Sequence, residues 1–151
     1  MTEVENKLLA RGLLAEVVNT GAADRLPEFL AFDCAMPGIE AKGLTWFREH
    51  LRAWHECYPG FVVTVDGQVA EDEIVVTWWT MRGTHSGVWN GLAPTHKPVL
   101  IRGVNIQKVR DGRIVEHSGG SNSLDVLLEL GLVKWTIGQK ETAPEGSPGS
   151  S

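Results

Sequence analysis

The sequence predicts an α+β domain in which a curved antiparallel sheet wraps around N-terminal helices, and three observations carry that prediction. Apolar residues recur at spacings of three and four through the first third of the chain; after Gly60 they recur at every second residue; and Asp111-Gly112 separates the last two alternating runs. Helices first, consecutive strands next and a short helix last is the order of an α+β fold.

Val4, Leu8, Leu9, Leu13, Val17 and Val18 form one stripe of a first helix that ends near Asn19-Thr20-Gly21. Leu26, Phe29 and Leu30 predict a second, short helix. A Pro37-Gly38 turn follows, and Phe47, Leu51, Trp54 and Tyr58 then define a third helix stopped by Pro59-Gly60. Strands are predicted at 61–70, 73–84, 99–110 and 113–121, all rich in β-branched and aromatic residues. Asp72 marks the first turn between them, and Asp111-Gly112 suits the positive φ of a tight hairpin. Leu124 to Leu130 predicts a terminal helix. Residues 1–137 thus form one domain, with 138–151, dominated by Gly, Pro, Ser, Glu and Thr, expected as a disordered tail.

A chain of 151 residues, 42% hydrophobic and 22% charged, can bury one core without staples. Its net charge of −5 offers no footprint for nucleic acid or an anionic membrane, so the expected partner is a small neutral or cationic molecule. The start, Met1-Thr2-Glu3-Val4-Glu5-Asn6, lacks the pattern of a signal peptide, and no apolar run is long enough to span a bilayer, so a cytoplasmic location is expected. Cys34 and Cys57 make no CxxC pair and the five His share no ligand spacing, so neither a disulfide nor a metal site is expected. No nucleotide-binding glycine motif occurs.

The blocks Arg82-Gly83-Thr84-His85-Ser86-Gly87, Pro94-Thr95, Asp111-Gly112-Arg113-Ile114-Val115-Glu116-His117 and Leu127-Leu128-Glu129-Leu130-Gly131 together resemble the SnoaL-like polyketide cyclases, a branch of the superfamily that includes ketosteroid isomerase. Tyr58-Pro59, Val69-Ala70-Glu71 and Gly103 extend the resemblance over about residues 5 to 133. It implies a cone-shaped sheet closing over the helices, an apolar pocket at the open end, acid/base chemistry without a cofactor, and a homodimer formed through the outer sheet face.

In that family the strand after the Asp-Gly hairpin carries an Asp that takes the substrate proton. Here Asn122 stands at that position and Ser118 where Trp is usual, which removes the base and enlarges the pocket. Ring closure by aldol addition needs a proton acceptor and donors for the developing enolate oxygen, and a neutral amide supplies only the second. His85, whose ordinary pKa suits proton transfer, is the leading replacement, with a turn-fixing role as its structural alternative. Asp33, expected in a loop at the pocket mouth, is another. Asn105, unusual in mid-strand, is expected to face Asn122 as an amide pair. Alternation places His117 opposite Asn122, and with Asn122 expected inward, His117 falls outside. Trp79, Trp89, Phe32, Trp46 and Ser118 are the expected substrate contacts, while His50 and His55 read as solvated helix face.

Three functions fit these residues: a cyclase or isomerase of a polyketide-like or polycyclic carbonyl compound, an epoxide-opening enzyme using carboxylates with an amide and water, and a binding module without chemistry.

Overall fold

The computed structural model describes residues 2–38, 40, 43–89 and 91–136; the tail expected at 138–151 lies outside them. The first helix, α1 (Glu3–Gly12), starts at a reciprocal cap: Thr2 Oγ1 accepts from Glu5 N, and the Glu5 carboxylate accepts from Thr2 N. It runs into a π-helix at Leu13–Val18 and is followed by a 3-10 helix at Ala23–Glu28. The buried stripe of α1 is rotated from the expected one. Val4 and Leu8 stay exposed, whereas Asn6 and Ala10 go in, because Asn6 Nδ2 reaches Asp72 O and Gln68 Nε2 reaches Lys7 O, tying the helix to the first hairpin.

The second predicted helix is not continuous. Pro27 lies inside the 3-10 turn, and Leu30 opens a strand, β1 (Leu30–Ala35), that the sequence did not announce. Beyond it come α2 (Gly43–Cys57), β2 (Val62–Glu71), β3 (Ile74–Thr84), β4 (Pro98–Arg110), β5 (Arg113–Ser121) and α3 (Ser123–Glu129), each close to its predicted span. The five strands form one curved, unclosed sheet in the order β1-β5-β4-β3-β2, with β1 parallel to β5 and the other pairs antiparallel. Asp111 and Gly112, at φ 51° and 74°, make the β4–β5 turn as expected, and Asp72 at φ 53° makes the β2–β3 turn.

One core gathers the π-helix, the 3-10 helix, β1 and β5 around Val17, Leu26, Leu30 and Ile114; a second gathers Phe61, Met81, Ile101 and Val126. Between the helix layer and the sheet, Asn19 acts as a clamp: Oδ1 accepts from Val63 N at 2.7 Å and Nδ2 donates to Val63 O at 3.0 Å. Asn19→Ala removes both bonds and is expected to cost about 2 kcal/mol, read as a lower urea midpoint at unchanged slope. Among the described residues no helix is long and apolar enough to cross a membrane.

Candidate active site

A pocket opens between the helices and the inner face of the sheet. The π-helix contributes Leu13, Leu14 and Val18; α2 contributes Trp46, Phe47, His50, Leu51 and Trp54; the sheet contributes Val63, Trp79, Asn105 and His117. Its cavity volume is about 110 Å³, within about 690 Å³ of free space that includes the open mouth. A volume of that order is on the scale of one aromatic ring, and the open mouth leaves room for a longer ligand to extend outward. The π-helix shapes the floor: Asn19 N bonds back to Leu14 O, five residues earlier, and the wide turn spreads its side chains.

Two polar groups on the sheet side have fixed surroundings. Trp79 Nε1 donates to Asn105 Oδ1 at 3.1 Å. An indole N–H can only donate, so this bond sets the amide orientation and leaves the Nδ2 protons of Asn105 for a ligand. Trp79 can lie there because Gly103, its cross-strand partner, has no side chain; a Cβ on Gly103 would come within 2.2 Å of Trp79 Cζ2. One residue pair away, Gln107 Nε2 lies 3.0 Å from His117 Nδ1, while His117 Nε2 makes no hydrogen bond among the described residues. The His117 ring packs edge-on against Phe47, with centroids 5.0 Å apart.

Burial first, and the charge of His50 second, push the His117 imidazole from 6.5 down to about 4. His50 stacks on Trp46 at 4.6 Å; it is solvent-exposed as a residue, yet burial of its ring against the pocket lowers its pKa too. His117 is therefore neutral at physiological pH, a state able to accept a proton. The linkage follows in sign. A folded pKa below the unfolded one means the unfolded chain binds more protons between about 6.5 and 4, so this contribution to stability is complete above about pH 6.5 and is lost as pH falls toward 4. Urea midpoints measured across that window should decline with acid, and His117→Phe should flatten the decline.

A family model for the SnoaL-like polyketide cyclases matches residues 8–130. The chain belongs to that family. IdmH of Streptomyces antibioticus, a candidate polyketide cyclase, is 30% identical with a TM-score of 0.72, the match covering 83% of this chain and 98% of that one. TsrD from Streptomyces laurentii is 21% identical at TM-score 0.79, covering 88% and 99%. AclR of Streptomyces galilaeus, a candidate hydroxylase, is 21% identical at TM-score 0.78, covering 94% and 95%; these two likenesses bear on the fold alone. No curated protein matches the chain.

Of the residues the sequence pointed to in this SnoaL-like domain, Asn105, Trp79 and Trp46 meet in the pocket. The expected faces of Asn122 and His117 are reversed. A two-residue turn with unbroken alternation would set Glu116 opposite Gln107 and carry Asn122 inward. Instead the register slips between Lys108 and Val109, where Lys108 pairs with Glu116 and Val109 with Ile114, so Val115 is bulged out and His117 faces Gln107. Asn122 leaves the strand as the residue before α3, its Oδ1 accepting from Arg102 N at 2.9 Å. The Asn105–Asn122 pair is not formed. Ser118, on the same parity, faces outward beside Ile106.

His85 is fully buried outside the pocket lining. Thr95 N donates to its Nδ1 at 3.1 Å, and the ring holds the connection from β3 to β4, its structural alternative. His85→Ala is expected to cost about 2–4 kcal/mol of stability, read from denaturation, while leaving the affinity of a pocket ligand unchanged. Asp33 lies on β1 rather than in a loop, and is exposed; Phe32 beside it is 85% exposed. Trp89 packs at the edge of the second core, not in the pocket. His50 was within reach of sequence reading, because it falls three residues after Phe47 and four before Trp54, on their stripe.

Proposed function

We propose that this SnoaL-like domain is a cofactor-independent cyclase or isomerase of a polyketide-like or polycyclic carbonyl compound, with His117 transferring the proton and Asn105 holding the oxyanion. The observation that carries this reading is the pairing of a donor amide, locked by Trp79, with a neutral imidazole on the next strand inside an apolar pocket. In a cyclisation, His117 in the tautomer with its own proton on Nδ1 takes the proton from a carbon beside a carbonyl on Nε2, and the enolate oxygen accepts from Asn105 Nδ2. The carbon then bonds to a second carbonyl carbon, and the resulting alkoxide takes the proton back from His117, so nothing is consumed. Proton transfer passes from the position of the family's Asp, where Asn122 stands, to His117.

Epoxide opening by paired carboxylates has less support, since none of the pocket-lining residues is acidic. Exchange of the α-proton with deuterated water across a panel of 1,3-dicarbonyl and polyketide esters tests the proposal. Native protein should accelerate exchange of at least one bound compound. Binding without exchange throughout the panel would leave a binding module.

A second copy of the chain is proposed to cover the outer sheet face, where Val62, Val69, Ile74, Trp78, Leu100 and Ile106 are exposed. Light scattering should then give twice the 16.5 kDa of one chain; a mass of one chain overturns it.

A further inference from the structure

Gln107 is 1% exposed, and its Oε1 is buried without a hydrogen-bond partner among the described residues while its Nε2 faces His117 Nδ1. Turning the amide by half a revolution exchanges the two atoms at almost no cost in shape. Chemically the two orientations are opposites. With the Gln107 N–H on Nδ1, the neutral imidazole carries its own proton on Nε2 and can only donate to a ligand. With Oε1 accepting from Nδ1–H, Nε2 presents a lone pair and can accept.

We propose that Gln107 is a positioning residue that selects the tautomer of His117, and so decides whether that imidazole accepts or gives a proton in the pocket; this rests on the reading of His117 as the proton-transfer group. Taking a substrate proton on Nε2 produces an imidazolium with Nδ1–H, which needs an acceptor. Oε1 is the one atom of Gln107 able to serve, and it is the atom left unpartnered when the amide donates. The amide must therefore already present Oε1 to Nδ1–H when the substrate proton reaches Nε2, and in that orientation it holds the imidazolium until Nε2 gives the proton back. Few other groups compete for this control. His50 on α2 is the titratable side chain acting on His117, and Phe47 beside it is apolar; Cys34 on the adjacent β1 is held as a thiol, pushed up to about 11 by burial and by the carboxylates of Asp33 and Glu116.

Nitrogen NMR of the full chain labelled at its histidine rings reads the tautomer and titration of His117 with no substrate present. Gln107→Glu supplies an acceptor only, so His117 should go over to the Nδ1–H form and its midpoint should rise by roughly 1–3 pH units. Gln107→Met, of similar length without the amide, should release the tautomer to a mixture. Should the glutamate variant fail to fold, the methionine variant gives the same readout. An unchanged tautomer and midpoint in folded Gln107→Met or Gln107→Glu overturns the proposal. Because no turnover is involved, a tautomer that follows residue 107 in a protein that exchanges no substrate proton would sink the proposed function and leave the positioning role standing.

Discussion

Replacing His117 with alanine should lower turnover about 10²–10⁴-fold, the range spanned by a positioned general acid or base, while the affinity for a pocket ligand changes far less. The separation follows from where the ring sits. Leu13, Leu14, Phe47, Leu51, Trp54 and Trp79 supply most of the apolar wall, so binding survives loss of one imidazole, whereas no other sheet-side residue lining the pocket titrates near neutrality. The depressed pKa adds a second signature. Since His117 stays neutral down to about pH 4, kcat should hold its value from neutrality well into acid instead of falling through pH 6.5. The variant should also be less sensitive to acid denaturation, having lost a group that takes up a proton on unfolding. Stopped-flow or steady-state turnover alongside equilibrium binding checks the first two expectations and urea midpoints across pH the third; an unchanged kcat would remove His117 from the chemistry. Asn105→Ala should lower kcat by about 10²-fold or more if its amide meets the oxyanion.

Gly103→Ala is expected to destabilise the fold by about 1–3 kcal/mol, the range for overpacking a filled site, and to abolish ligand binding. Its Cβ would lie 2.2 Å from Trp79 Cζ2, and that indole, 8% exposed and edge-on to Trp54 at 6.0 Å, can give way only into the pocket it lines. Pushing it aside breaks the bond to Asn105 and moves a pocket wall with it. The neighbouring pair is the control. Gly67 stands to Trp78 as Gly103 stands to Trp79, with a Cβ to Cζ2 approach of 2.1 Å, but on the outer face. Trp78 is 42% exposed and can swing into solvent, so Gly67→Ala should cost much less in the isolated chain. Urea midpoints of the two variants, side by side, decide the matter; equal losses would show that strand geometry and not indole confinement is at stake.

The four long strands, α2 and α3 were legible in the sequence because each rests on a strong local signal: alternation, an apolar stripe, or a turn residue able to take positive φ. β1 was not, since Leu30 to Ala35 owes its extended form to pairing with β5 across more than eighty residues. The site divides along the same line. Trp79 and Asn105 could be placed from local pattern. His117 could not, because its face depends on a bulge at Val115, one residue long, which inverts the parity of all that follows and leaves no mark in composition. His85 misled for a different reason: a family block identifies a residue the fold needs as readily as one the chemistry needs, and here the Thr95 contact accounts for it.

The wide turn at Leu13–Val18 makes the length of this helix a variable of its own. Changes in chain length are ordinarily confined to loops, but a π-type turn absorbs one extra residue inside a helix while the flanks keep their places. Deleting a single residue there would tighten the turn to α pitch, leave α1 anchored through Asn6 and Lys7 and Asn19 anchored on Val63, and re-aim Leu13, Leu14 and Val18 by steps of about 100°. The outline offered to a ligand can thus be redrawn by an edit that touches neither the sheet nor the proton-transfer groups, separating the evolution of what is bound from that of what is done to it.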